Sequence, residues 1–291
     1  MLKTILSVAI ALMVTLATAA YQRITGPTHP KSVEFIFEGS SFKGKLIRSG
    51  TTGEDAWVEI KRNPENSAKM ASALDLSPLS LEFRKYKYEE TWTSHAFQTR
   101  GNTLAAPLPT LPPAGKYEYR IVTSKESGAS TPLIENLIIR FKGAVPTTWL
   151  VPHIICMFSA MLVSNMIAMR LLFKMPVSFR WPLTAATLLA VGGMFFGAFV
   201  QKFAFGEYWT GFPYGTDLTD NKTLIALVGW VSALVVFPKF PKIGLWSAIV
   251  IMTLVFLIPH SLAGSERNFH TDTIGTAPLK QHKIDKDKNL P

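Results

Sequence analysis

Apolar and polar residues alternate along much of the first half of the chain and separate into long apolar blocks along the second. Period-two alternation runs through most of residues 56–61, 79–88 and 116–122. Shorter segments of strand character lie at 33–38, 45–48 and 134–141. Such alternation sets one face of each strand on a core and the other in water. Strands at this spacing, broken by Gly, Pro and Asn, predict a small Ig-like β-sandwich over residues 31–143. The turn Pro112-Pro113-Ala114-Gly115 launches one of its strands.

From residue 149 the pattern changes. Four blocks, 149–173, 181–203, 223–237 and 244–260, are largely apolar and predict a four-helix transmembrane domain over 149–264. Helices are required there because hydrocarbon leaves free backbone groups unsatisfied. The third block is short, and residues 220–222 extend its start. Gly193 and Gly197 form a small-xxx-small pair suited to close helix contact. One more apolar run, 4–19, follows Lys3 and ends in Ala17-Thr18-Ala19. It reads as a cleaved secretory signal or an uncleaved anchor helix within residues 1–22. The expected fold class is therefore membrane α+β: a signal or anchor helix, a β-sandwich and a four-helix bundle. A polar tail over 265–291 follows, expected to be disordered at least in its last dozen residues.

Charge sharpens this picture. A net charge of +10 in a soluble protein would point to nucleic acid. Here several cations sit in short loops between apolar blocks and others in the tail, so the lipid bilayer is the expected partner and nucleic acid is not. The loop between the first two blocks carries Arg170, Lys174 and Arg180. That between the last two carries Lys239 and Lys242, and neither loop has an acid. Short basic loops face the cytoplasm. The β domain, the middle loop and the C-terminus are thus expected on the outer side of the membrane. Cys156 is the single cysteine, which excludes an internal disulfide and a thiol-based zinc cage.

That orientation gathers His153, His260, Glu207 and Asp217 at the outer ends of the helices. Ionisable groups at membrane depth are costly and mark function. The four are candidate metal ligands, and the two histidines candidate haem ligands, because a nitrogen–oxygen set suits zinc, copper or iron. Met157, one turn from His153, adds a soft donor. Each residue also has a plainer reading. His153 follows Pro152 at a helix start, and His260 follows Pro259 at a helix end. Asp217 and Asp220 precede or open a helix whose free N–H groups need a cap, the reading favoured for Asp220. Glu207 has Lys202 and Lys222 as possible ion-pair partners. Tyr208, Trp209, Phe212 and Tyr214 form an aromatic belt. Phosphate-binding loops, zinc-protease helices and serine-nucleophile elbows are missing from the sequence. The leading expectation is a non-catalytic binding or accessory subunit of an envelope membrane complex, with other envelope membrane proteins as partners. A metal- or haem-binding membrane redox protein or enzyme, and a small transporter component, are the alternatives.

Segments 201–223 (QKFAFGEYWTGFPYGTDLTDNKT) and 258–266 (IPHSLAGSE), the opening 21–28 (YQRITGPT) and the turn at 112–116 resemble a family of uncharacterised bacterial inner-membrane proteins. The resemblance implies a location in a bacterial inner (cytoplasmic) membrane, with a periplasmic β domain and C-terminus and four C-terminal transmembrane helices, and implies no activity.

Overall fold

The chain runs from an N-terminal apolar helix into two β-sheets and then into a set of apolar helices. A computed structural model describes residues 1–63, 79–100, 103–124, 130–259 and 264–275. Helix α1 spans Leu2–Thr25. Ten strands follow: β1 (Lys31–Phe37), β2 (Ser40–Leu46), β3 (Ser49–Thr51), β4 (Ala56–Arg62), β5 (Leu79–Lys85), β6 (Thr93–Ala96), β7 (Gln98–Arg100), β8 (Thr103–Leu108), β9 (Lys116–Ser124) and β10 (Ser130–Lys142). They form two five-stranded sheets, ordered β1-β2-β4-β8-β7 and β3-β10-β9-β5-β6. All pairings are antiparallel except β3 with β10.

Alternation does what the sequence pattern requires. In β4, Ala56, Val58 and Ile60 are buried while Glu59 and Lys61 are exposed. Residues from both sheets share one core, with Phe42, Val58 and Ile60 on one side and Leu81, Tyr119, Ile121, Leu137, Ile139 and Phe141 on the other. Apolar burial of this kind is worth about 1.5–3 kcal/mol per large side chain. The β1–β2 hairpin turns through Glu38 and Gly39, both at positive φ, which matches the twist of the flanking strands. Tyr119 donates from its hydroxyl to the Ile47 carbonyl at 2.7 Å, pinning the segment between β2 and β3. Strands β6 to β8 escape the sequence reading. Two are only three or four residues long, and β8 contains Ala105, Ala106 and Pro107, which are depleted in strands.

The C-terminal half contains α2 (Thr147–Leu172), α3 (Arg180–Phe205), α4 (Leu218–Val236) and α5 (Pro241–Leu257). Within α3 the stretch Ala190–Phe196 is π-helical. By length and apolarity α1, α2, α3 and α4 are able to cross a membrane, whereas α5 has 17 residues. This corrects the expectation of four C-terminal spans: three are long enough. The fourth block loses its last residues because Pro259 biases Ile258 to extended backbone (φ −73, ψ 121) and ends the helix. At about 1.5 Å per residue α5 is roughly 25 Å long, less than the hydrocarbon thickness. Helix α4 begins earlier than its apolar block, at a polar first turn.

Trp230 is the largest buried side chain of the helical core, and its indole donates to the Met252 sulfur at 3.0 Å. Helix α1 lies against α2 through the buried face Ser7, Ala11 and Thr15, and Asn165 donates to the Thr15 hydroxyl at 2.9 Å. The sheets meet the helices where β10 ends. The Gly143 amide donates to the Ala204 carbonyl at 2.8 Å. A Cβ at position 143 would lie 2.2 Å from the Phe203 carbonyl oxygen, so the chain needs glycine there.

The start of the tail is folded, while its last dozen residues, where disorder is expected, lie outside the described residues. Residues Glu266–Asn268 (β11) and Thr273–Gly275 (β12) pair as a hairpin, and residues 276–291 lie outside the described residues. The hairpin is tied to the sheets. Glu266 accepts from Lys116 at 2.8 Å and Lys87 at 3.2 Å, the Arg267 amide donates to the Ala114 carbonyl at 3.1 Å, and Tyr88 donates to Asn268 at 3.0 Å. Burial alone would push the Glu266 carboxyl up, but the hydrogen bonds and charges of Lys116 and Lys87 outweigh it and hold it below its ordinary value. For Lys116, burial and the nearby Arg140 outweigh Glu266 and push the ammonium down, so the pair forms at a desolvation cost to the lysine. A carboxyl depressed in the folded state contributes stability that is present above its unfolded pKa and lost as pH falls through the folded value. Hydrogen exchange at residues 266–275 should therefore accelerate as pH drops below the ordinary carboxylate range of about 4. In Glu266→Gln, after correction for intrinsic exchange, that acid-induced step should be absent and the hairpin loose at neutral pH.

Candidate binding site at the junction of sheets and helices

The segment between α3 and α4 folds over the helix ends because its polar groups have fixed partners. Asp217 caps α4: one carboxylate oxygen accepts from the Thr219 amide at 2.7 Å and the Asp220 amide at 3.4 Å. Its second oxygen accepts from the Ser265 amide at 2.6 Å, the Ser265 hydroxyl at 2.7 Å and the Thr210 hydroxyl at 3.2 Å. The side chain is only 1% exposed. Asp220, one turn on, does not cap the helix as expected. It reaches back to accept from the Thr210 amide at 2.7 Å and lies 3.1 Å from the Thr210 hydroxyl. Thr210 has one hydroxyl proton to share between the two carboxylates. Gln201 completes the network by donating to the hydroxyls of Thr210 and Ser265, each at 2.8 Å.

Beside this network is a cavity of about 100 Å³. Its polar wall includes Arg140, His153, Asp217, Asp220 and Lys222, and its apolar wall includes Met157, Phe205 and Val255. Arg140 sits on the outward face of β10, yet the end of α3 and Gly264 cover it, leaving it 9% exposed. Its guanidinium lies 5.4 Å from the centre of the Phe205 ring. A Cβ on Gly264 would stand 2.9 Å from an Arg140 nitrogen, so that glycine makes room for the cation. Burial pushes the Arg140 guanidinium down, and the charges of Asp217 and Glu266 oppose the shift; arginine keeps its proton under such conditions. Lys222 donates to the Ile258 carbonyl at 3.0 Å. Gln22, near the end of α1, closes another side through a hydrogen bond to the Phe256 carbonyl.

His153 owes its position to the π-helical stretch. The Gly192 carbonyl accepts both the Gly197 amide and His153 Nδ1, the latter at 2.8 Å. A carbonyl has no proton to give, so Nδ1 carries one and a neutral ring keeps Nε2 as its acceptor. Gly192 and Gly193 bring α3 close to its neighbours: Cβ atoms there would lie 2.4 Å from Cys156 Cβ and Thr223 Cγ2. Gly197 packs beside the His153 ring, so the expected pair at 193 and 197 serves helix contact and cavity shape together.

Of the four expected site residues, His153 and Asp217 share this cavity. Glu207 is exposed and outside its wall, and it makes no ion pair with Lys202 or Lys222. Lys202 instead donates to the Gly206 carbonyl at 2.6 Å. His260 lies outside the described residues. Among the described residues no group of three or more His, Cys, Asp or Glu side chains is arranged to hold a metal ion. The donors available at the cavity are His153 Nε2, the Met157 sulfur and the two aspartates. Sequence reading missed Arg140, Gln22, Gln201, Thr210 and Ser265. A polar Gln201 inside an apolar block was the available signal; Arg140 had none, since alternation along β10 assigns it to water.

Comparison with protein-family models and with curated proteins finds no match. What is seen of the family resemblance is its coarse content, apolar helices joined to a β region.

Asp217→Ala removes a helix cap and leaves buried donors on Ser265 and Thr210 unpaired. The expected loss is roughly 2–4 kcal/mol, read as a lower unfolding midpoint in detergent. Glu207→Gln should leave the midpoint unchanged. Equal behaviour of the two variants would contradict the network.

Proposed function

We propose that this chain is a non-catalytic binding or accessory subunit of a bacterial envelope membrane complex. The observation that carries the reading is the junction cavity. It is walled by β10 and by residues of all five helices, so whatever fills it bears on how the sheets sit on the helices. Its hydrogen bonds are spent on holding elements together, and among the described residues that line it none is a nucleophile paired with a base. The two sheets, read as an Ig-like sandwich, and the helical layer then offer separate docking surfaces. His153 supports one second reading, a metal- or haem-binding protein, because its Nδ1 bond leaves Nε2 free of a proton and Met157 shares the cavity. Purification of the full chain in mild detergent should recover partner proteins in fixed ratio. A partner-free protein with stoichiometric metal or a Soret band would replace the first reading with the second.

The proposed setting is the inner membrane with the sheets in the periplasm. Arg170, Lys174 and Arg180 lie at or between α2 and α3, and Lys239 and Lys242 at or between α4 and α5. These are the helix ends away from the sheets, where the positive-inside rule places the cytoplasm. The reading keeps α1 as an uncleaved anchor, supported by its buried face on α2 and the Thr15–Asn165 bond. Reporter fusions after residues 175 and 240 should report cytoplasm, and one after 212 periplasm. The reverse pattern would overturn the orientation.

A further inference from the structure

The junction cavity is lined by two buried cations whose charges no carboxylate among the described residues meets directly. Arg140 is 9% exposed and Lys222 7%. Among the described residues neither has a carboxylate oxygen within 4.0 Å, although both line a cavity with Asp217 and Asp220. Neutral donors have taken the carboxylates instead: backbone amides and the hydroxyls of Ser265 and Thr210. Lys222 spends one of its three donors on the Ile258 carbonyl. Arg140 faces a ring on one side and Gly264 on another. A buried cation without a close counter-charge is costly, and an anion in the shared space would offset that cost for both.

We infer that the cavity binds one small oxyanion, a phosphate group, between Arg140 and Lys222. This rests on the reading of the chain as a binding subunit and names what it binds. The volume sets the size. A cavity of about 100 Å³ has room for a phosphate group. Arginine's planar fork suits phosphate oxygens and lysine adds a point charge. His153 favours phosphate over a carboxylate: its Nδ1 proton is taken by Gly192, so Nε2 accepts from an oxyanion that still carries a proton. Asp217 and Asp220 weaken the hold through space, which makes both cations necessary. The group has two sources, free inorganic phosphate or the headgroup of an anionic lipid.

The test uses the full chain in a non-ionic detergent, freed of phosphate and anionic lipid. Inorganic phosphate, against chloride at equal ionic strength, should raise the unfolding midpoint saturably, and equilibrium dialysis with labelled phosphate should give one site per chain. Affinity should fall at least tenfold in Arg140→Gln and in Lys222→Gln, and stay unchanged in Lys43→Gln, which alters an exposed lysine on β2. If Arg140→Gln does not fold, Arg140→Lys and Lys222→Gln carry the comparison. If inorganic phosphate has no effect but nanodiscs of phosphatidylglycerol stabilise the protein over phosphatidylcholine, and the same variants lose that difference, the source is a headgroup. No saturable effect from either source, or binding in both cation variants as tight as in the unaltered protein, overturns the site. Partners that still co-purify would then leave the accessory-subunit reading intact, whereas a bound phosphate with no partner would leave the site without that reading.

Discussion

One buried carboxylate holds the two halves of this protein in register. Asp217 is at once the cap of α4, the acceptor for the loop residue Thr210 and the acceptor for Ser265, which begins the tail that returns to the sheets. A carboxylate accepts through two oxygens and several lone pairs, so one side chain is able to join three segments that are distant in sequence. Buried hydrogen bonds to an ionised group are also stronger than neutral ones. Because the site is nearly closed to water, the donors on Ser265 and Thr210 have no substitute partner if Asp217 is lost. The position of Gly264 against Arg140 follows from the same anchoring, since it precedes Ser265 directly.

The tail thus has a structural part. It leaves the helices near Ile258, passes the Asp217 network at Ser265, and pairs as a hairpin whose Glu266 takes Lys116 and Lys87. These contacts tie the last helix to β9 and to the turn at 112–115. A second tie is covalent: β10 runs through Gly143 and Pro146 into α2, with the Gly143 amide bonded to the end of α3. Two attachments on either side of one cavity fix the sheets on the helices more firmly than a single linker would, and they place the cavity where both halves contribute to its wall.

Much of this was legible in the sequence, and the limits have physical causes. Period-two alternation located β4, β5 and β9 because those strands bury one face and expose the other. It failed for β6 to β8, which are short and carry Ala and Pro. Long apolar runs located α1, α2 and α3 within a few residues. For α4 the apolar run alone starts late, and the extension over 220–222 comes within two residues of Leu218, because Asp220 and Lys222 near its start are polar residues held by a network rather than by lipid. Apolar runs also overextended the last block past Leu257, where Pro259 intervenes. At the site, orientation arguments brought His153 and Asp217 to one end of the helices, and the structure sets both on one cavity. The same arguments included Glu207, which the loop turns outward. Side-chain direction in a loop depends on its hydrogen bonds, and those are not encoded in spacing.

Arg140 shows where such reading must stop and what replaces it. Along β10 the inward positions are Leu137, Ile139 and Phe141, so the pattern hands Arg140 to solvent. Solvent is absent there because a second layer, the end of α3 and the segment at Gly264, covers the outer face of the sheet. A charged residue on the polar face of a strand is ordinary until another element buries it. Then it needs compensation from an aromatic face, a distant carboxylate or a bound anion. The first two are present in part: Phe205 lies beside the guanidinium, and Asp217 acts through space while its oxygens serve other donors. Their incompleteness, repeated at Lys222 across the same cavity, makes the junction a place for a ligand rather than only a seam between two layers.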